Sequence, residues 1–163
     1  MINKINLLFV TFFGVGYIKF APGTFASIFT IILLFISFHL LNIPSNIILI
    51  FLFFIFFYAF FAINRFIKKI SNKDPKEIVI DEVIGQSIPI YLYEVSHGLK
   101  KEFGEAIIFY GAIFILFRFF DIFKPFPINY FDKKFKNSFG VILDDVFAGL
   151  YVVVVLILYM LLK

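Results

Sequence analysis

Long apolar runs constrain the fold of this chain more than any other feature of its sequence. The long runs are Ile5–Phe20, Phe25–Ile43, Ile47–Ile63, Glu105–Phe123 and Val146–Leu162. A shorter run, Val83–Val95, contains Gln86 and Pro89 and measures about 20 Å as a helix. Hydrophobic residues make up 62% of the 163 residues, which is more apolar surface than a soluble domain of this length can bury.

Such runs are stable in a bilayer as helices, because a helix satisfies its own backbone polar groups. The sequence therefore predicts an all-α fold, a polytopic integral membrane helical bundle with about five spans. Val83–Val95 is one of the five as a thin span, or else a re-entrant piece. Residues 5–20, interrupted by Gly14 and Gly16, are predicted to form an N-terminal interfacial or re-entrant segment, although the sequence also leaves open that they span the membrane. We expect residues 1–163 to form a single membrane-embedded domain.

Cysteine content and charge exclude several classes of protein. The chain has no Cys, so cysteine nucleophiles, thiolate metal sites and disulfides are excluded. The net charge is +4, but the basic residues lie between the apolar runs. This placement is typical of topology signals and of contacts with anionic headgroups, so it predicts a lipid bilayer, and not nucleic acid, as the partner. The sequence leaves the oligomeric state open.

Two loops rich in Lys and Arg predict the orientation in the membrane. The loops are Asn64–Lys76 and Lys124–Asp144, and the positive-inside rule predicts that both are cytoplasmic. Both can be inside only if the chain crosses the membrane an even number of times between them. Crossings by Val83–Val95 and Glu105–Phe123 meet this condition, so we expect the polar groups next to these loops to face the cytoplasm.

Four polar groups are predicted to share this face. They are Pro22-Gly23-Thr24, Asp81-Glu82, the set Arg118, Asp121 and Lys124 on one helical face, and Asp144-Asp145 at the start of the last span. Each also has a structural interpretation. These are an N-cap for Thr24, a solvated turn for Asp81-Glu82, an intrahelical ion pair for Arg118 and Asp121, and a helix cap for Asp144-Asp145. His39 and His97 fall on the opposite side, and we interpret both as structural.

Together these groups predict a site for a metal ion and a phosphate. Several carboxylates at one face form the oxygen-rich ligand set that Mg²⁺ prefers, and they repel one another unless a cation or protons offset their charge. Arg118 and Lys124 suit a phosphate beside them. The helix that starts near Pro22-Gly23-Thr24 adds free N–H groups for an anion. A metal ion, an anion site and a membrane face indicate phosphoryl chemistry on a lipid headgroup.

Specific motifs occur in order along the chain. Ala21–Ser27 contains a PGT-x-[GA]-S pattern, and Ile80–Gly85 a DE-x-x-G pattern. Phe117–Ile128 contains FR-x-x-D-x-x-KP-x-P, followed by G-x-x-x-DD-x-x-AG at Gly140–Gly149. In this order the motifs resemble those of phosphatidylglycerophosphatase A, a family of bacterial membrane enzymes. The resemblance implies a lipid phosphatase that uses Mg²⁺ to hydrolyse phosphatidylglycerophosphate to phosphatidylglycerol and phosphate, in phospholipid biosynthesis. It also implies a multi-pass protein of the inner membrane whose active site faces the cytoplasm.

The polar groups at one face and the family resemblance together predict a role for each candidate residue. The candidate metal ligands are Asp81, Asp121, Asp144 and Asp145. The candidate catalytic residues are Glu82, Arg118 and Lys124, and the candidate substrate-binding residues are Gly23, Thr24 and Ser27. Glu82 is either a further ligand or the base that orients the attacking water, and Arg118 and Lys124 stabilise the phosphoryl oxygens. Pro125 and Pro127 are predicted to end the preceding helix at Phe123.

Other functions fit parts of the same pattern. Another membrane lipid phosphatase or phosphotransferase would use the same metal site and differ in the shape of its pocket. A small transporter would also place charged residues in short, broken membrane segments, but its acids would line a path through the bilayer. The chain could also be a non-enzymatic membrane scaffold. In that case the four polar groups would lie at one face by accident.

Overall fold

The computed structural model describes residues 4–68, 76–97, 103–135 and 137–162, and within these ranges it contains helices and no strand. The α-helices of the described ranges are α1 (Lys4–Val10), α2 (Pro22–Phe35), α3 (Ser45–Ile67), α4 (Ile80–His97), α5 (Phe103–Phe123), α6 (Ile128–Lys134) and α7 (Ser138–Leu162). A 3-10 turn at Val15–Tyr17 precedes α2, and a π turn at Ile36–Leu40 extends it. The prediction of an all-α fold is confirmed.

Four helices of the described chain are long and apolar enough to cross a membrane. They comprise Pro22–Leu40, Ser45–Ile67, Phe103–Phe123 and Ser138–Leu162. Large apolar side chains cover their outward faces, as Phe54 and Phe57 do on α3, which is expected of surface that contacts lipid. Four of the predicted spans thus have a helix of this kind, whereas α4, the predicted thin span, is not one of the four.

The backbones of α4 and α7 are in direct contact. A Cβ atom at Gly85 would lie 2.5 Å from the carbonyl oxygen of Asp145, and a Cβ atom at Gly149 would overlap the carbonyl oxygen of Gly85. Both positions therefore require a residue without a side chain, as in other close crossings of membrane helices. This contact brings the first turn of α4 alongside Asp145.

Contacts at both ends of α4 show that α2 runs parallel to it. At the start of α4, the side chain of Glu82 lies against Gly23 of α2. At the far end, His39 Nε2 lies 3.0 Å from Glu94 Oε1. The two helices therefore begin and end at matching levels in the bundle.

The helices α5 and α3 also pack against α4, and their contacts show which helix ends lie together. Near the start of α5, the ring of Phe109 stacks on Tyr93 at a centroid distance of 4.9 Å. Further along α5, the ring of Phe117 reaches Gly85, so α5 runs antiparallel to α4. Ile63, near the end of α3, belongs to the buried cluster at the start of α4. We call this end, where α2, α4 and α7 begin and α3 and α5 finish, the polar end.

The N-terminal apolar run, Ile5–Phe20, folds back on the bundle instead of forming one helix. α1 ends at Val10, and several of the residues that follow have positive φ angles. Asn6 Nδ2 donates a hydrogen bond to the carbonyl oxygen of Ala62 at 3.0 Å, and the N–H of Val79 donates to the carbonyl of Val10 at 3.1 Å. The run contains no candidate span, and its place relative to a bilayer stays a prediction.

The last helix begins earlier than the sequence predicted. α7 starts at Ser138 and not after Asp144-Asp145. Asn137 Oδ1 accepts hydrogen bonds from the N–H groups of Phe139 and Gly140, both at 3.1 Å, and so satisfies the start of the helix. The acidic pair lies inside the helix, and its interpretation as a helix cap is wrong.

The start of α2 also differs from the prediction. Ala21 is the N-cap and Pro22 is the first helical residue, so the interpretation of Thr24 as the N-cap is wrong. Proline suits this position because its fixed φ matches the helix and its missing N–H has no partner to lose. Gly23 and Thr24 therefore supply the free N–H groups of the first turn.

Candidate active site

Three carboxyl groups meet at the polar end. Asp81, Glu82 and Asp145 each place one carboxylate oxygen within 4.8 Å of the others. Asp81 and Asp145 are buried, and Glu82 is half-buried. Asp81 Oδ1, Glu82 Oε2 and Asp145 Oδ1 have no hydrogen-bond partner among the residues that the structure describes. We call these residues the carboxylate cluster; buried acids this close together require protons or a cation to offset their charge.

Helix packing accounts for the position of each acid. Asp81 and Glu82 occupy the first turn of α4, where the helix dipole favours negative charge. Asp145 lies about two turns into α7 and reaches them because Gly85 lets the two helices touch. Gly23 of α2 packs directly against the Glu82 side chain, because a Cβ atom at position 23 would overlap Glu82 Oε1. This predicted substrate-binding residue is therefore placed directly against the cluster.

Burial favours the protonated forms of the acids at the start of α4. It raises the pKa of Glu82 to about 7, while a hydrogen bond with Asp81 lowers that pKa and the Asp121 carboxylate raises it. Burial, and then the charge of Glu82, also raises the pKa of Asp81 well above its usual value. Both residues precede the apolar run at residues 83–95. A cation bound in the cluster would replace these protons, since it favours ionised carboxylates.

Arg118 and Asp121 lie beside the cluster, near the end of α5. Arg118 Nη1 is 2.9 Å from Asp121 Oδ2, but it makes no hydrogen bond, so the contact is purely a charge interaction. Arg118 Nε is also buried without a hydrogen-bond partner in the described ranges. Asp121 raises and Arg118 lowers the pKa of Glu82. The predicted intrahelical ion pair is present, and the guanidinium group keeps N–H donors for a ligand.

Lys124 and Asp144 form a second ion pair, with Nζ 2.8 Å from Oδ2. α5 ends at Phe123, as its following prolines predicted, and Lys124 has a left-handed backbone with φ of 43°. Lys124 therefore leaves the helical face on which its spacing from Arg118 placed it, and turns towards α7. The second oxygen of Asp144 accepts a hydrogen bond from the N–H of Asp145 at 3.1 Å. Asp144, a predicted metal ligand, is thus engaged by Lys124 and lies outside the group of three.

The other predicted substrate-binding residues lie in the first turns of α2. Thr24 is half-buried, and its N–H belongs to the first turn, which suits an anion. Ser27 is completely buried, and its Oγ has no hydrogen-bond partner within the described part of the chain. Ser27 lies one turn beyond Gly23, on the same side of the helix.

Gln86 was missed by the sequence reasoning as a site residue. Its side chain is completely buried, and neither Nε2 nor Oε1 has a hydrogen-bond partner in the described ranges. It lies one helical turn after Glu82. The sequence could have indicated this residue, because Gln86 is an amide in an apolar run and lies four residues after Glu82, on the same helical face.

Both histidines were expected to lie on the opposite side of the protein from the acidic groups of the candidate site, and His39 does. His39 bonds to Glu94 at the opposite end of α4 from the cluster. The sequence reasoning did not identify Glu94 as its partner. The side chain of His97 lies outside the described residues.

The fold and the site together define a class of protein. This is a helical membrane protein in which buried carboxyls, an arginine and a lysine converge at one end, as in enzymes that act on phosphate esters of lipids. The family model described as "PgpA: Phosphatidylglycerophosphatase A" matches residues 8–160. The chain belongs to this family and is a lipid phosphatase.

Relatives with assigned names agree with the family. Phosphatidylglycerophosphatase A of Haemophilus influenzae is 38% identical over 155 residues, which cover 95% of this chain and 88% of that protein. A putative phosphatidylinositol-3-phosphatase of Bacteroides thetaiotaomicron is 34% identical, with coverage of 89% and 87%. Phosphatidylglycerophosphatase A of Escherichia coli is 27% identical, with coverage of 91% and 79%. No solved structure matches the chain.

Proposed function

We propose that this chain hydrolyses the terminal phosphate ester of phosphatidylglycerophosphate to phosphatidylglycerol and phosphate, using Mg²⁺, at the cytoplasmic face of the bacterial inner membrane. The observation that carries the proposal is the carboxylate cluster, with three oxygens within 4.8 Å of one another. It lies beside Arg118, whose Nε and Nη1 make no hydrogen bond in the described ranges. Family membership and the names of two relatives support this choice of lipid.

The donor set of the cluster fits Mg²⁺. All the donors are carboxylate oxygens, the ligands this hard cation prefers, and three of them lack a hydrogen-bond partner in the described chain. Asp81 and Asp145 would hold the ion, and Glu82 either completes the ligand set or orients the attacking water. Bound Mg²⁺ would supply charge neutralisation for the phosphate and a lower pKa for water. The further ligand roles of Asp121 and Asp144 stay predictions.

The residues of the chain supply the other parts of the reaction. Arg118 and Lys124 bind the non-bridging oxygens of the phosphate and stabilise their charge as the ester bond breaks. The N–H groups of Gly23 and Thr24 bind the same group from the start of α2. Where Glu82 acts as the base, the water that attacks phosphorus gives a proton to its carboxylate. The glycerol oxygen leaves and takes a proton to become the hydroxyl of the product.

We infer five crossings, with α4 as the fifth. Both ends of α4 are level with the ends of α2, a candidate span, so α4 crosses the same thickness of membrane. Basic residues gather at the polar end, as the positive-inside rule requires of a cytoplasmic face. Among the described residues they include Lys19, Arg65, Lys68, Lys76, Lys124, Lys133 and Lys134.

The experiment that tests this function measures phosphate release from phosphatidylglycerophosphate by the purified protein in detergent. We expect release with Mg²⁺ and none with excess EDTA, and slower release from phosphatidic acid. Folding is checked by size-exclusion chromatography in the same detergent. Absence of release from folded protein with Mg²⁺ would contradict the proposal, and release unaffected by EDTA would contradict the metal requirement alone.

A phosphorylated inositol lipid is the second candidate substrate. The relative from Bacteroides thetaiotaomicron is named as a putative phosphatidylinositol-3-phosphatase and is 34% identical to this chain. Including phosphatidylinositol 3-phosphate in the same assay separates the two candidates, because the preferred lipid will show the higher kcat/KM.

A further inference from the structure

Two completely buried polar side chains lie close to the carboxylate cluster in sequence, each one helical turn beyond a residue of the site. Ser27 of α2 follows Gly23 and Gln86 of α4 follows Glu82, and both are completely buried. Ser27 Oγ and both polar atoms of the Gln86 amide lack a hydrogen-bond partner in the described ranges. We call Ser27 and Gln86 the polar floor of the site.

The helix contacts put the polar floor at one depth. Gly23 lies against Glu82, and α2 and α4 run parallel, so one further turn on each helix brings Ser27 level with Gln86. On α5, which runs antiparallel to α4, Phe117 touches Gly85, so Arg118 lies nearer to the polar end than the polar floor does. The polar floor therefore lies about one helical turn, roughly 5.4 Å, from the carboxylate cluster, towards the middle of the bundle.

Neighbouring polar side chains in the same helices form hydrogen bonds with the backbone of their own helix. Thr30 Oγ1 donates to the carbonyl oxygen of Ala26 at 2.8 Å, and Ser87 Oγ donates to that of Val83 at 2.6 Å. Gln86 does not, although a buried amide without partners is costly. An amide offers both donors and an acceptor, so it can donate a hydrogen bond to a hydroxyl group or accept one from it. Gln86, like Ser27 and the carboxylate cluster, keeps polar atoms without a partner in the described ranges. Unpaired buried groups gathered at one end of the bundle indicate a site for a polar ligand.

We propose that Gln86, with Ser27 beside it, binds the hydroxyl group on the substrate carbon next to the one that carries the phosphate. This inference rests on the proposed function and specifies its substrate class, lipid phosphomonoesters with a neighbouring free hydroxyl. The glycerol headgroup of phosphatidylglycerophosphate has such a hydroxyl, and so does an inositol ring phosphorylated at position 3. Phosphatidic acid has none, because its neighbouring oxygen is acylated. With the phosphate at the cluster, the polar floor lies where this hydroxyl would enter.

The test compares two substrates that differ by this one hydroxyl. The first is phosphatidylglycerophosphate, and the second is its analogue in which propane-1,3-diol replaces the headgroup glycerol. For the wild-type protein with Mg²⁺ we expect kcat/KM to be about 10- to 100-fold higher for the glycerol lipid, since a site built for a hydroxyl discriminates against its absence. Gln86→Met, of similar length, should remove most of this preference by lowering kcat/KM for the glycerol lipid more than kcat/KM for the analogue.

Ser87→Ala is the matched control, because Ser87 is the next residue of α4 and bonds within its own helix. It should keep the full preference for the hydroxyl. Equal kcat/KM of the wild-type protein for both lipids would overturn the inference without any variant having to fold, and an equal loss on both lipids in folded Gln86→Met would also overturn it. Wild-type protein inactive on every lipid would instead overturn the proposed function.

Discussion

The two ends of the α2–α4 pair bury charge in opposite ways. At the polar end, Asp81, Glu82 and Asp145 are like charges with unpaired oxygens. At the other end, Glu94 is paired with His39 at 3.0 Å. Both ends carry ionisable groups in a helical bundle, where each such group is a functional candidate by default. Among the acids of α4, Glu94 has a partner and is interpreted as structural, whereas Asp81 and Glu82 keep unpaired oxygens and belong to the candidate site.

Aromatic rings complete the enclosure of the paired end. The ring of His39 lies 4.7 Å from that of Phe35 and 5.9 Å from that of Tyr110. The π turn at Ile36–Leu40 carries His39 and positions it opposite Glu94. This arrangement ties the ends of α2 and α4 together at the end of the bundle away from the carboxylate cluster.

The largest expected effect on activity comes from the polar end. Asp145→Asn should lower kcat by more than about 100-fold, because even partners in the outer shell of a metal site cost about 10- to 100-fold. Its thermal unfolding without metal should occur at the same temperature or higher, since one buried like charge is gone. Phosphate release and unfolding in detergent measure the two effects. Glu105→Gln, an exposed acid at the start of α5, should match the wild type, and near wild-type turnover of Asp145→Asn would remove Asp145 from the metal site.

A smaller effect is expected from the helix contact that assembles the cluster. In Gly85→Ala the new Cβ atom would lie 2.5 Å from the carbonyl of Asp145, so α4 and α7 must separate. We expect a loss of about 10- to 100-fold in kcat/KM from misplaced carboxyls and about 1–3 kcal/mol of stability from overpacking. Gly111→Ala on α5 is the control, because a Cβ atom there meets open space. If both variants behave alike, close contact at Gly85 does not position the site.

The smallest effect on activity is expected at the paired end. His39→Ala should lower the free energy of unfolding by about 1–3 kcal/mol, because it leaves Glu94 buried without its partner, while kcat of the folded protein stays near the wild-type value. Thermal unfolding and phosphate release at a temperature where the variant is folded provide the measurements. The double variant with Glu94→Leu should be less destabilised than the sum of the single variants. A large loss of kcat in folded His39→Ala would mean that both ends serve the reaction.

Much of the fold could be predicted from the sequence, since helix formation in a membrane depends on runs that are continuous along the chain. Four spans and the end of α5 at Phe123 followed from such local signals. The start of α7 did not, because the acidic pair inside the helix resembled its beginning. Asn137 caps the helix, which starts at Ser138, six residues before Asp144. Acidic residues inside this helix are tolerated because Asp144 pairs with Lys124 and Asp145 faces the polar first turn of α4 instead of lipid.

The sequence by itself determined that the chain is a membrane-embedded helical protein, which family it resembles, and which acids and bases gather at one face. Only the tertiary structure decided how those groups are paired. Asp144 binds Lys124, Asp121 lies against Arg118, and the acids that converge are those of the carboxylate cluster. It also revealed Gln86 as a buried amide without partners in the described chain. The physical reason is that apolar runs act locally, whereas interactions between side chains depend on how closely the helices pack, which glycines at their contacts control.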